Sequence, residues 1–439
     1  GIDPLQSITI AGYCLSVYLM LHAPTEEELD ETEANHTSQT ALTVLKKTEY
    51  EDMKRGFHGG RTEVFQLYKE WTDTDIAKGI YGRYIDICSL YPSVQFLDEL
   101  PYGKPVLHDF GEDGEADVDV SGFFGFVVCD ITPPTDLYVP LLGGKTTTGK
   151  FCFSLEKMER ATVPTPELHK ALELGYKIDR VYKVYHFKKS RELFKSYIRT
   201  FSCAKIESDF NGTNEERDEL IHTYASKFGI HLRPELMTKN AGRKANSKLM
   251  LNSLWGKFGQ RQMKTTTYIS EPSAWYKLLK RSHNGEVTIS TREHLGDCLF
   301  VEYTELSESK TNLNKTNVAM CGMLTSQARL RLYEVIGDTR LKGRLIYCDT
   351  DSCIYEHDKS KWNPKEGGLL GQWEPEFNEP MKRVVCLGPK AYAYEKASGK
   401  LEVKSKGIQL TAENLDTVNF DSYKALVDGG DVLEPMAML

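Results

Sequence analysis

No run of about 18 apolar residues occurs in the chain, so no helical membrane span is expected. No CxxC pair occurs among its ten cysteines, and Cys348 and Cys353 have no metal-ligand spacing to any histidine. All ten are therefore expected to be reduced and structural, which argues for an intracellular protein without disulfides or bound zinc. Internal repeats and low-complexity tracts are missing too. The start, GIDPLQSITI, has neither a methionine nor a charged leader, and the expectation is a piece of a longer chain. A basic excess is also absent: the net charge is −8 over 439 residues, which by itself argues against a nucleic-acid partner. One local absence matters more. Between Arg344 and His357 there is no lysine or arginine, yet two aspartates sit there in LIYCDTDSCIY.

What is present fills a core. Charged residues are 27% and the AVILMFWYC set 40%, a balance that excludes disorder. The length allows two or three domains or one large enzyme. Acidic stretches at EEELDETE and DFGEDGEADVD read as solvated surface segments, whereas Lys239 to Lys264 carries seven cations and no acid. That local stripe governs what a phosphate would sense, because charge is screened beyond about a Debye length. The periodicities predict an apolar helix over residues 8–21, a glycine turn and strand at RGFHGGRTEVFQLY, and a strand then a short helix at RYIDICSLYPSVQF. They also predict a strand at FFGFVVCDITPP, three helices between residues 191 and 259, and a helix ending at LRLYEVIG. The class is α+β.

Two motifs place acids at the ends of apolar strands: Asp86 in YIDICSLYPS, and Asp349 with Asp351 in YCDTDS. Residues i and i+2 of a strand share a face. Buried clustered carboxylates repel, and a divalent cation is the simplest remedy. Hard oxygen donors without histidine or cysteine suit magnesium. An isolated turn aspartate also caps its own backbone, so the argument rests on the motifs together. On the predicted helix RKANSKLMLNSLWGKFG, Lys248, Asn252 and Trp255 can share one face, with Arg243 and Lys244 a turn or more earlier. That face offers cations to phosphates and an aromatic surface to a base. Alone, Lys248 would read as an exposed helical lysine. Acids with metal opposite lysine with an aromatic describe nucleotidyl transfer from a triphosphate with two magnesium ions.

The motifs resemble those of family B DNA polymerases. DICSLYPS is similar to their DxxSLYPS, KLMLNSLWG to KxxxNSxYG with Trp255 for tyrosine, and YCDTDS to YxDTDS. FHGG resembles YxGG with Phe57 for tyrosine, and GPKAYAY resembles the KxY motif. IDPLQSITIAGYCLSVY looks like the tail of the exonuclease region. The set most resembles the protein-primed branch, that is, adenoviral and phage enzymes and polymerases of Polinton/Maverick-type mobile elements. It covers essentially the whole chain.

That resemblance implies a right-hand architecture with two terminal-protein-region insertions. The implied division is residues 1–56 as exonuclease tail and linker, 57–100 as palm with the first motif, and 101–188 as palm with a first terminal-protein-like region. Fingers follow at 189–262, a second insertion at 263–317, palm again at 318–405 and a partial thumb at 406–439. Asn252 and Asp349 lie 97 residues apart, which leaves room for the second insertion, read as β-rich; a longer ordinary palm is the alternative. By resemblance, Asp86, Asp349 and Asp351 are catalytic, and Asp86, Asp351 and the Ile87 carbonyl hold magnesium. Ile87, Ser89, Leu90 and Tyr91 line the nucleotide site, with Tyr91 under the sugar to exclude a 2′-hydroxyl. Lys248 holds the triphosphate with Arg243 or Lys239, and Asn252 and Trp255 shape the base-pair pocket. Ser352, Lys390 and Tyr392 meet the primer strand, and Gly59 and Gly60 let the backbone approach the template. Losing hydroxyls at Trp255 and Phe57 bears on discrimination, not on the reaction.

The implied activity is DNA-directed DNA polymerase, with primer-template DNA, dNTPs and a terminal priming protein as partners, in replication of a transposon or virus-like DNA. The location is intracellular, nuclear in a eukaryote. A catalytically weak DNA-binding relic is the runner-up, and a metal-independent scaffold for a priming protein is a third class.

Overall fold

Apolar strands that end in acids build the central sheet. The computed structural model describes residues 2–3, 7, 9–29, 45–145, 150–260, 264–269, 271–296, 298–305, 317–408 and 410–429. The chain divides into two compact units. One comprises Gly1–Tyr50, Tyr102–Lys104 and Thr200–Cys321, the other Glu51–Pro101, Pro105–Arg199 and Gly322–Leu439.

The larger unit holds a nine-stranded antiparallel sheet. Its strands run in the order Thr62–Val64, Leu345–Asp349, Ser352–Asp358, Ile80–Ile87, Met381–Gly388, Ala391–Lys396 and Leu401–Ser405. Trp373–Pro375 adds beside the Ile80–Ile87 strand and Tyr68–Glu70 beside Met381–Gly388. Trp71, Tyr84, Tyr347, Ile354, Met381 and Val384 pack into one buried cluster on it. Each such side chain taken out of water contributes about 1.5–3 kcal/mol. The Phe420–Val427 helix adds Phe420 and Tyr423 to a second cluster with Val385 and Ala393. Strands Lys177–Ser190, Gly125–Thr132 and Met158–Pro164 pair in a separate sheet, next to a hairpin of Gly143–Lys145 and Phe151–Phe153. The helix Thr165–Glu173 leaves Met158–Pro164 directly, since Pro164 pre-sets the entry and Pro166 has no N–H to lose in the first turn.

In the smaller unit the Ala241–Phe258 helix is capped by Asn240, whose side chain accepts the Arg243 N–H at 3.0 Å. It packs on the Ile10–Leu21 helix, where the Cys14 and Met250 sulfurs lie 3.5 Å apart and Tyr18 meets Phe258 edge-on at 6.0 Å. The predicted apolar helix over residues 8–21 is thus present, with Met20 and Leu21 at its exposed end. The Asn214–Phe228 helix starts at a reciprocal capping box, Thr213 with Glu216, and stops at Gly229 in the left-handed conformation (φ 60°).

After the long helix comes an element read from sequence as β-rich. Its described part is a three-stranded sheet, Lys264–Ile269, Cys298–Glu305 and Val287–Leu295, plus a helix, Pro272–His283. The pattern reading missed the helix, which opens on a proline at its first position and ends before Asn284–Gly285. Residues 263, 270, 297 and 306–316 of the expected insertion, 261–262 of the expected fingers, and 409 and 430–439 of the expected thumb lie outside the described residues. Ile269, Leu278, Val287 and Val301 give the element its own core. Its flanks meet, as Asn317 N–H donates to the Phe258 carbonyl at 3.0 Å. An element with its own core and adjoining ends should come away cleanly. Replacing residues 263–316 with a short Gly/Ser bridge is expected to leave one cooperative thermal transition within about 5 °C of the intact chain. A deletion variant that is unfolded by circular dichroism would assign the segment to the palm core instead.

Candidate active site

Register brings the acids together. Ser352 pairs with Asp86 across the sheet, and Asp349 pairs with Ser352 around the two-residue turn Thr350–Asp351. The Ile87 N–H donates to the Asp351 carbonyl at 2.7 Å, which ties the end of one acidic strand to the tip of the other motif. On the far side, Glu374 pairs directly with Asp86. Directly opposed residues share a face, so Ser352, Asp86 and Glu374 form a row across three strands.

The three sequence-predicted acids have different surroundings. Asp349 is held by its neighbours: Lys390 Nζ forms an ion pair with it, Thr62 Oγ1 donates at 3.0 Å and the Tyr347 hydroxyl at 3.3 Å. Asp351 is the perturbed one. Burial pushes its carboxyl above the ordinary range, and Asp349 and Glu376 push it further, against its own backbone N–H and Lys390. A half-buried carboxylate with carboxylate neighbours and one lysine already taken by Asp349 is short of positive charge. The all-oxygen donor set around Asp86 and Asp351 therefore fits a hard divalent cation, although no three acidic, histidine or thiol groups among the described residues converge into a ready-made cage.

The turn is strained and propped. Thr350 sits at φ 60°, a left-handed conformation that is costly for a β-branched residue, by about 1–3 kcal/mol. Its N–H donates to the Arg61 carbonyl at 2.6 Å, and its hydroxyl to Asp349 at 3.1 Å. Gly60 lies against it so closely that a Cβ there would come 2.7 Å from the Thr350 side chain. Gly60 thus serves the Thr350–Asp351 turn. Gly59 is the glycine facing open space, with nothing within 4 Å of a Cβ position.

The loop Phe57–Gly60 is itself clamped by a residue that sequence reasoning missed. Arg329, on the helix Val318–Ile336, is 5% exposed and donates to the His58 and Gly59 carbonyls at 2.6 and 2.9 Å. Two parallel bonds, 2.7 and 2.6 Å, pair it with the equally buried Glu167. Removing one member of such a pair strands a buried charge, at a cost of about 3–5 kcal/mol. Nothing in the chain signals a partner 162 residues away. Glu374 was also missed; the only cue was acids in WEPEF.

Other predicted residues take less exposed places. Ile87 and Leu90 are buried, so their side chains pack, and only backbone atoms of Ile87 face polar partners. Ser89, at φ 53°, turns the chain from the Asp86 strand into the Leu90–Leu97 helix, which places Tyr91 half-buried in its first turn. Ser352 is 5% exposed and its hydroxyl donates to the Asp349 carbonyl at 3.2 Å. Tyr392 lies in the buried cluster of the central sheet with its hydroxyl 2.9 Å from that of Tyr84. Lys390, at φ 61°, has its N–H on the Tyr347 hydroxyl at 2.8 Å. Ser352, Lys390 and Tyr392 thus brace the hairpin that carries Asp349 and Asp351.

In the smaller unit, Lys248 and Asn252 lie exposed on one face of the Ala241–Phe258 helix, while Leu251 and Leu254 point into its packing. Trp255 is half-buried. Arg243 and Lys244 are engaged locally. Glu207, fully buried, would be raised by burial, but bonds from Arg233 and Arg243 hold its carboxyl below the usual range. Lys244 pairs with Asp209 at 2.6 Å. Lys248 is therefore the exposed cation in the middle of this helix face.

The family description "DNA polymerase type B, organellar and viral" matches residues 1–352, and the chain belongs to that family. It is 24% identical over 424 residues to a probable DNA polymerase of Agaricus bitorquis, covering 91% of this chain and 46% of that one. It is 25% identical over 372 residues to the DNA polymerase of Bacillus phage Nf, covering 80% of this chain and 51% of the phage protein. The chain thus spans about half the length of these relatives. Among solved structures, Phi29 DNA polymerase complexed with primer-template DNA and incoming nucleotide substrates superposes with a TM-score of 0.62 at 19% identity, over 96% of this chain and 64% of that one. At that identity the likeness is one of fold. The family match and the phage relative bear out the resemblance to family B DNA polymerases of the viral type.

The Asp351 environment has a measurable signature. A carboxyl whose folded pKa is raised costs stability while ionised, and that cost disappears as pH falls through the folded value. In the presence of a chelator, Asp351→Asn is therefore expected to melt above the unmodified protein at pH 7, with the advantage shrinking as pH falls through the carboxylate range. Equal melting at both ends of that range would mean that Asp351 is not under electrostatic stress.

Proposed function

We propose that this chain is the polymerising core of a DNA-directed DNA polymerase, transferring nucleotidyl groups from dNTPs to a primer 3′-hydroxyl. The observation that carries the reading is the register that sets Asp86 beside the Asp351 turn, with Asp351 half-buried and repelled by its neighbours. Asp86, Asp351 and the Ile87 carbonyl would hold magnesium. When bound, the two ions supply charge to the attacking hydroxyl and the leaving pyrophosphate. The chain's own residues position the reactants. Lys390 neutralises Asp349 and so leaves Asp351 as the unpaired charge of the hairpin. The strained turn, fixed by Gly60 and Arg61, keeps that carboxylate from rotating away. Tyr91, anchored in the first turn of its helix, occupies the space below a deoxyribose, and Gly59 leaves room for a template backbone. Lys248, the exposed cation of its helix face, takes the triphosphate, and Asn252 and Trp255 flank the base pair.

The wider setting follows the resemblance. We assign a priming protein as partner, replication of a mobile or virus-like element as context, and strand displacement to the inserted element with its own core. Primer extension tests the core claim. With magnesium, the unmodified chain is expected to extend a primer on a single-stranded template. Asp351→Asn is expected to lose roughly a thousandfold or more in rate while binding primer-template within a few-fold. Tyr91→Val should raise ribonucleotide use relative to deoxyribonucleotide, and Lys248→Ala should raise the apparent KM for dNTP with DNA affinity nearly intact. An inactive wild type that still binds DNA would return the chain to the relic reading. Metal-independent function with a priming protein would favour the scaffold.

A further inference from the structure

An exposed aromatic stack stands beside the loop that props the catalytic turn. Phe151, in the hairpin of Gly143–Lys145 and Phe151–Phe153, lies on the ring of His58 with centroids 4.1 Å apart and planes 28° apart. Phe153 meets Phe151 edge-on at 5.3 Å, and the Arg61 guanidinium lies over Phe153 at 4.0 Å. Phe151 nevertheless remains 37% exposed. A ring braced this way has lost its rotamer freedom before any ligand arrives, so stacking on it costs little further entropy.

Single exposed apolar residues are ordinary on protein surfaces. The surroundings here are not. Lys145 pairs directly across from Phe151, and Lys145 and Lys150 are both exposed. From Leu137 to Leu155 the sequence contains no acid at all, in a chain whose net charge is −8. Next to His58 the backbone at Gly59 is open. Burial, with Arg329 and Lys145 nearby, lowers His58 to a pKa of about 4, so near neutral pH it contributes a flat uncharged ring. An aromatic face, flanking lysines and bare backbone are what an unpaired nucleotide requires: a stacking surface, charge for its phosphate, and room for its sugar.

We propose that Phe151, backed by His58, is a stacking platform for an unpaired nucleobase of the template strand. This rests on the polymerase reading above. The template is favoured over any other strand by continuity. Two and three residues beyond His58, Gly60 and Arg61 touch the catalytic turn, the former by packing against Thr350 and the latter by accepting its N–H at 2.6 Å. A base on Phe151 therefore sits a few residues from the chemistry, where the strand still to be copied is single.

The test is fluorescence anisotropy with two DNAs, a recessed primer on a template with a 5′ overhang and the same duplex blunt-ended, plus 2-aminopurine in the overhang. Phe151→Ala is expected to weaken binding of the overhang substrate about tenfold, and to leave blunt duplex within about twofold. Phe151→Tyr should keep overhang affinity and 2-aminopurine quenching. Phe151→Leu, similarly apolar but without a ring, should lose both. The leucine and tyrosine variants keep the test valid if the alanine variant does not fold. Leucine binding as well as phenylalanine, or equal loss on both DNAs, overturns the platform. If the unmodified chain extends primers and Phe151→Ala binds the overhang normally, the platform alone fails. If the unmodified chain binds no primer-template, the polymerase reading and the platform fail together.

Discussion

A single register holds the candidate site. Asp86 reaches the Asp351 turn because Ser352 pairs with it and Ile87 N–H bonds the Asp351 carbonyl. A one-residue slip of that strand pair would send Asp86 to the opposite face of the sheet. The register is guarded on both faces: Tyr84 and Ile354 belong to one buried cluster, and Ile85 and Cys353 are wholly buried beside them. Core packing in this protein is thus also carboxylate placement. Polar substitutions at Tyr84 or Ile354 act on the acids without touching them.

The electrostatics follow from that placement. Asp349, Asp351, Asp86, Glu374 and Glu376 gather at one end of the sheet, and Lys390 pairs with Asp349. Lys390 is locked in turn by its backbone on Tyr347, whose ring packs against Tyr392 at 4.7 Å. The KxY motif, read from sequence as a DNA contact, also braces the hairpin, its lysine pairing with Asp349. A similar division of labour appears in the FHGG loop. One glycine fits the Thr350–Asp351 turn, the other stays open, and Arg329, paired with Glu167, holds the His58 and Gly59 carbonyls.

Much of this was legible because acids are conspicuous in apolar strands. Asp86, Asp349 and Asp351 stand out by composition alone, and the helix with Lys248 and Asn252 by its period. What the sequence hid is which side of an element each residue occupies and with whom it pairs. Arg243 looked free to meet a phosphate, but a buried Glu207 holds it. Ser352 and Tyr392 sit in motifs, yet their hydroxyls turn to a backbone carbonyl and to Tyr84. Arg329 gave no local signal and Glu374 only the acids of WEPEF, since their partners arrive through the fold. The Pro272–His283 helix was masked by the threonine- and tyrosine-rich strands around it.

The central claim is that Asp86 and Asp351 act together as one oxygen-donor site that needs a divalent cation. Binding of Mn²⁺ in the presence of a dNTP, followed by electron paramagnetic resonance, tests it without requiring turnover. The unmodified protein is expected to take up Mn²⁺ with dNTP. Asp86→Asn and Asp351→Asn should each lose most of that binding, and the double variant should lose no more than either single one. Uptake that survives both substitutions, or losses that add independently, would contradict the account.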